Sequence, residues 1–186
     1  MNDRPRIRLA EAGDAEALGT IEARSYLHTY RGIMPESVLA RVGPERMIER
    51  LRPRLEAAAA APPDERRRMW VILDDTGVIQ GYATTEPATD QFLPPPDGAG
   101  ELESLYLDPD AIGRGYGRAL LAHAVGDLIA HDFDPLVLWA LAQNDRARRF
   151  YERAGWMLDI VGEDWVLDDI PCPIVRYRLD PADHHG

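Results

Sequence analysis

Apolar positions fall in two rhythms along this chain. Arg6-Ile7-Arg8-Leu9 alternates polar and apolar at period two and predicts a short strand. Past Gly13-Asp14 the spacing lengthens. Ala15, Leu18, Ile21 and Ala23 recur at near-helical intervals and predict a helix ending between Tyr26 and Tyr30. Arg31-Gly32-Ile33-Met34-Pro35 reads as a loop, and Pro35 followed by Glu36 suits the first turn of a second helix. Val38, Leu39 and Val42 continue that helix, Gly43-Pro44 interrupts it, and Met47, Ile48, Leu51 and Leu55 resume it. Ala57 to Ala61 and then Pro62-Pro63 close the helical region.

From Met69 the period shortens again. Met69-Trp70-Val71-Ile72-Leu73 and Val78-Ile79-Gln80-Gly81-Tyr82-Ala83 flank Asp74-Asp75-Thr76-Gly77, the composition of a hairpin turn. Asp90 to Gly100, with Pro94, Pro95 and Pro96 in a row, reads as a stiff polar loop. Glu101 to Leu107 predicts the next strand, and Leu136 to Leu141 a buried one. Between them Ala119, Leu120, Leu121, Ala124, Val125, Leu128 and Ile129 form one helix face. Asn144 to Ala154 is a short helix. Trp156 to Val161 and Ile174 to Leu179 are two more strands, with Gly162 to Pro173 read as the loop between them. This order predicts a single domain, a mixed α/β sheet with helices on both faces. Residues 5–68 supply a strand and two helices; residues 69–180 supply the remaining sheet.

Length agrees: 186 residues, 45% of them apolar, suit one domain with a sizeable core. No apolar run reaches the roughly 18 residues of a membrane span. The opening Met1-Asn2-Asp3-Arg4-Pro5-Arg6 lacks a signal-peptide core. The expectation is a cytoplasmic protein with no membrane partner. A lone cysteine, Cys172, leaves no intrachain disulfide. The five histidines, His28, His123, His131, His184 and His185, have no ligand spacing, so no metal is expected.

All 21 basic residues are arginine. Without lysine, P-loop phosphate binding and pyridoxal Schiff-base chemistry are excluded. Net charge is −11 and uneven: the first 68 residues hold 13 arginines against 11 acids, the remainder 8 against 21. That field repels a polyanion, which argues against a nucleic-acid partner; an acidic surface commonly serves solubility, and a cationic substrate is the further reading it allows.

The chemically informative stretch runs Leu105-Tyr106-Leu107-Asp108-Pro109-Asp110-Ala111-Ile112-Gly113-Arg114-Gly115-Tyr116-Gly117-Arg118. It is a strand, a glycine-rich turn and a helix start. Glycines at every second position let main-chain N–H groups converge on a bulky anion, and the helix start adds partial positive charge. A plain strand-to-helix turn needs one glycine; three point to an anion site, a diphosphate being the natural guest. Gly-x-Gly-x-Gly is not the dinucleotide spacing.

This stretch resembles the pyrophosphate-binding motif of the GNAT N-acetyltransferase superfamily. Asn144-Asp145-Arg146-Ala147-Arg148-Arg149-Phe150-Tyr151-Glu152-Arg153-Ala154-Gly155-Trp156 matches a second signature of that superfamily: Asn, Ala three later, Tyr four after that, then Gly and an aromatic. The ordered pair lies within residues 101–156. Tyr30-Arg31-Gly32-Ile33-Met34-Pro35 is a phrase of some bacterial members. One position departs: the turn commonly opens on Arg or Gln, and here on Ile112. Any side-chain help then falls to Arg114 or Arg118.

The resemblance implies a mostly antiparallel central sheet of about six to seven strands and direct acetyl transfer from acetyl-CoA to an amine. It implies that the N–H groups of Ile112 to Gly117 receive the diphosphate, and that a main-chain N–H near Leu105, Tyr106 or Leu107 steadies the thioester oxygen. Tyr151 stands where the family has its general acid. Glu101 stands where some members have a catalytic glutamate, with Glu103 on the same face in reserve. Asn144 is expected to cap its helix and reach the pantetheine arm. Arg148, with Arg146 and Arg149 beside it, is the candidate for the 3′-phosphate.

The acceptor pocket is expected between the first helices and the late-strand loop, with Tyr26, His28, Tyr30, Asp164 and Trp165 as candidates. Aromatics beside carboxylates suit an organic ammonium. The expected partner is a small cationic amine such as a polyamine or an amino sugar. A protein N-terminal acetyltransferase and a catalytically silent acetyl-CoA-binding module are the alternatives. A homodimer is left open.

Overall fold

A computed structural model describes residues 5–60, 66–167 and 169–181. Its seven strands form one sheet: β1 (Arg6–Leu9), β2 (Arg68–Leu73), β3 (Ile79–Pro87), β4 (Gly100–Leu107), β5 (Leu136–Leu141), β6 (Met157–Leu167) and β7 (Ile170–Leu179). Their order is β1-β2-β3-β4-β5-β7-β6. Every neighbouring pair is antiparallel except β4 and β5, which run parallel and meet only at Gly100–Leu136 and Glu101–Val137. The helices are α1 (Ala15–Tyr30), the single turn α2 (Glu36–Leu39), α3 (Pro44–Ala60), α4 (Tyr116–Ala130) and α5 (Asp145–Arg153). Among the described residues no helix is long and apolar enough to cross a membrane.

Alternation along β2 sorts the two faces. Met69, Val71 and Leu73 join Ala15, Leu18, Leu51 and Leu55 under α1 and α3. Ile72 points the other way and joins Leu120, Leu121, Ala124 and Leu128 of α4. A third cluster gathers Tyr26, Met34, Val38 and Leu39 over Leu141 and Ile174, closing the end of α1 and α2 against β5 and β7. Helices therefore cover both faces, as the hydrophobic pattern requires.

Two strands run longer than their apolar pattern. β3 continues past Ala83 through Thr84, Thr85 and Glu86, all buried. Their polar atoms are matched: the Ser104 hydroxyl donates to Thr84 Oγ1 and the Thr85 hydroxyl to Asp127, each at 3.0 Å, while Glu86 meets Arg67. The second case corrects the expected loop over Gly162 to Pro173. β6 and β7 keep pairing there, Asp164 opposite Pro173, Trp165 opposite Cys172 and Val166 opposite Pro171. Pro173 O accepts from Ala142 N at 2.8 Å, so its ring nitrogen also faces that side. Pro171, two residues earlier, faces the same way. Neither missing N–H is subtracted from the β6–β7 ladder, so prolines that read as loop are tolerated in a strand.

Candidate active site

The turn between β4 and α4 is built for an anion. Gly113 and Gly115 sit at φ +86° and +88°, and a Cβ added at either would meet nothing within 4 Å, so both face open space. Ile112 and Arg114 turn their N–H groups inward, towards Pro109 O and Ala111 O at 3.4 Å. This narrows the expected donor set. Among the described residues, the N–H groups of Gly113, Gly115, Tyr116, Gly117 and Arg118 have no main-chain acceptor, and the last three are the free donors of the first turn of α4. Arg114 and Arg118 are exposed at the same turn, and Ile112 is half-buried.

Beyond Glu101 the strands β4 and β5 part company, while β5 goes on pairing with β7 as far as Leu141. Leu105, Tyr106 and Leu107 thus pair only with β3, and their far edge opens into the gap. This cleft leads from the glycine turn into the protein. Its main-chain polar edge and the free N–H cluster fit the extended arm and diphosphate of coenzyme A.

On the far side of the gap, Asn144 caps α5 by accepting from Ala147 N at 3.1 Å. Arg148 is bonded to the protein itself. Its Nε donates to the Tyr177 hydroxyl at 3.1 Å and its Nη1 to Ala142 O at 3.0 Å, and Tyr177 in turn donates to Glu152 at 2.7 Å. These bonds hold Arg148 against β5 and β7 through Nε and Nη1. Arg146 and Arg149 are exposed on the same helix. Tyr151 packs its ring against Phe150 and Trp156, at centroid distances of 5.3 and 6.3 Å. Burial holds its hydroxyl protonated far above the usual tyrosine range, with nearby Tyr30 adding to the effect. A phenol in that state has a proton to give at any physiological pH.

A cavity of about 700 Å³ lies between α1, α3 and the sheet, and its wall includes Tyr26, Tyr30, Glu101, Glu103, Trp139 and Trp165. Tyr26 and Tyr30 are one helical turn apart and share a face, their rings 4.5 Å apart. His28, between them, points to solvent. Asp164 is likewise exposed while its neighbour Trp165 lines the cavity, since strand residues alternate faces. The structure therefore brings three of the five acceptor candidates together, and not His28 or Asp164.

Glu101 is 8% exposed and pushed up to about 7. Burial is the main cause, opposed by the Thr89 N–H and reinforced by the carboxylates of Glu86 and Glu103. Glu103 instead holds Arg54 at 3.0 Å. Sequence reading missed Glu22, which also lines this cavity. It is 3% exposed, accepts from the Tyr82 hydroxyl at 2.7 Å, and pairs with Arg50. The signal was present: Ala15, Leu18, Glu22 and Tyr26 form one helical stripe, and a charge on an apolar stripe is informative.

A glycine-rich strand–turn–helix with free N–H groups, beside a gap and a cavity of mixed charge lined by aromatic rings, suits an enzyme that joins two substrates. The comparisons agree. A model of the acetyltransferase (GNAT) family matches residues 34–156, and the chain belongs to that family, whose acyl donor is acetyl-CoA. A mycothiol acetyltransferase of Beutenbergia cavernae is 44% identical over 66 residues, 35% of this chain and 22% of that protein. The chain thus spans about a fifth of that relative. The N-acetyltransferase YuaI of Bacillus subtilis is 25% identical over 172 residues, 86% of this chain and 91% of its own length. The PaiA N-acetyltransferase of Thermoplasma acidophilum, solved with coenzyme A, shares the fold at a TM-score of 0.72 and 19% identity, covering 95% of this chain and 99% of its own.

Proposed function

We propose that this chain moves an acetyl group from acetyl-CoA directly to the primary amine of a small metabolite bearing one ammonium group, of the amino-sugar kind rather than a polyamine. The observation behind the reading is the state of the carboxylates around the cavity. Glu22 and Glu103 are matched by Arg50 and Arg54. Glu101 is buried, lines the cavity, and among the described residues has no arginine on it. One uncommitted buried carboxylate seats one ammonium. The fourth carboxylate of the wall, Glu49, is exposed to water, where an ion pair with a second ammonium is worth little. The names of related proteins range from mycothiol to a ribosomal-protein alanine, so the acceptor is read from the cavity and not from them.

When bound, acetyl-CoA supplies an activated thioester. The protein's part divides among residues already described. The free N–H groups from Gly113 to Arg118 hold the diphosphate, and the open edge of β4 near Leu105 to Leu107 offers a main-chain donor to the carbonyl oxygen as negative charge develops there. Tyr30 and Trp165 give the ammonium aromatic walls. Glu101 takes its proton, directly or through one water. Moving a proton from an amine of pKa about 10 to an ordinary carboxylate is uphill by about 7 kcal/mol, and to a group near 7 by about 4 kcal/mol. Burial of Glu101 therefore removes about 3 kcal/mol from that step. Tyr151 donates its proton to the departing thiolate.

Free-thiol release from acetyl-CoA across amino sugars, polyamines and short peptides tests the reading. Turnover is expected for small mono-ammonium acceptors above the rest. Turnover of peptides alone favours an N-terminal acetyltransferase. Tight acetyl-CoA binding with no turnover of any amine favours the silent module.

A further inference from the structure

Glu86 and Glu101 stand directly opposite each other in the antiparallel β3–β4 ladder. Opposed residues in such a ladder share a face with Cβ atoms about 5 Å apart, and like charges placed so are destabilising. Both side chains are buried nonetheless, at 5% and 8% exposure. Packing does not call for a second acid here, because Glu86 does not line the cavity that Glu101 reaches. The surroundings of the two are unequal. Glu86 is in contact with the guanidinium of Arg67. Among the described residues Glu101 accepts from the Thr89 N–H, with Glu103 of β4 and Arg176 of β7 as the next charged neighbours. Arg54 of α3 and Glu103 are the further charges felt by Glu86.

We propose that Glu86 is a positioning residue for the reaction: the first of the pair to ionise because Arg67 lies on it, it stands behind Glu101 and keeps that carboxylate basic enough to receive the acceptor's proton. This rests on the reading of Glu101 as the base. Two carboxyl groups this close lose their protons in two coupled steps. The contact with Arg67 assigns the first loss to Glu86, which leaves the later, more basic site facing the cavity. Burial and the Glu86 charge both raise Glu101, in keeping with this division of roles. Glu86 touches neither substrate and acts only through its neighbour.

The test is the pH dependence of kcat, read beside carbon-13 NMR titration of the glutamate carboxyls in the substrate-free protein. In the wild type the acid limb of kcat and the Glu101 resonance are expected to share a midpoint near 7. Glu86→Gln is expected to move both midpoints down by about one unit, since one like charge is gone. The high-pH plateau should fall several-fold, because the base is weaker. Glu86→Asp should restore both. Arg67→Gln, which lets Glu86 hold its proton longer, should move the Glu101 midpoint the same way, downward, and stands in if Glu86→Gln does not fold. A purely structural role for Glu86 predicts lower thermal stability with unmoved midpoints, and that result overturns the proposal. If the resonance moves while the kcat profile stays fixed in every variant, Glu101→Gln included, the base assignment itself has failed and takes the role of Glu86 with it.

Discussion

Glu22, Glu86 and Glu101 are three carboxyl groups held away from water, and burial pushes each above the ordinary glutamate range. A carboxyl raised on folding stabilises the fold fully below its unfolded pKa, and that contribution is lost as pH rises through the folded value. For Glu101 the window runs from 4.5 to about 7. Tm is therefore expected to fall between pH 5 and pH 8. Glu101→Gln, which cannot ionise, should melt higher than the wild type at pH 8, by at most about 3 kcal/mol of stability, and no higher at pH 5. The same substitution should lower kcat by about 10²–10⁴-fold, the measure of a lost general base. Tyr151→Phe should lower kcat over a similar range of about 10²–10⁴-fold while acetyl-CoA affinity, measured by calorimetry, stays near that of the wild type. At this scale the sequence singled out Tyr151 and Glu101 as candidates, and the structure places both in buried surroundings. Glu86 gave no local signal, because its meaning depends on the strand opposite.

Elements are positioned by a few close approaches. Gly19 on α1 lies so near α3 that a Cβ would stand 2.5 Å from Ile48 Cγ1 and 2.6 Å from Ile48 N. Main chain cannot yield as a side-chain tip can. Gly19→Ala should cost about 2–3 kcal/mol, seen as a lower Tm. Because α3 brings Arg50 and Arg54 to the cavity, KM for the acceptor should rise while the acetyl-CoA Kd holds. The glycine turn predicts the converse. Gly115→Ala places a Cβ at φ +88° and strains the turn by about 1–2 kcal/mol. The acetyl-CoA Kd should weaken by about tenfold as the N–H cluster is disturbed, with acceptor KM little changed. Periodicity revealed nearly every element, down to the bounds of β5. It failed where polar residues are buried with partners, at Thr84 to Glu86, and where prolines sit with their nitrogens off the ladder, at Pro171 and Pro173.

For the whole molecule the charge is −11, yet the cavity wall holds four glutamates and four arginines. The long-range field thus attracts an ammonium, while selection inside depends on which acids are already matched. Steering of this kind is screened with a Debye length of about 8–10 Å at physiological salt. Raising ionic strength from about 20 to 200 mM should lower kcat/KM for a cationic acceptor by several-fold and leave kcat alone. Salt-independent kcat/KM would assign recognition to the cavity by itself.

The sequence alone determined most of the secondary elements, the helix-covered α/β sheet, the glycine turn and the family, because each is written in contiguous residues through period, turn chemistry and spacing. Only the tertiary structure decided how the charges pair: that Arg148 is held by Tyr177, that His28 and Asp164 face away, and that Glu22, Glu86 and Glu101 are buried with unequal partners. Ionisation depends on burial and on the nearest opposite charge, and those neighbours come from strands and helices distant along the chain.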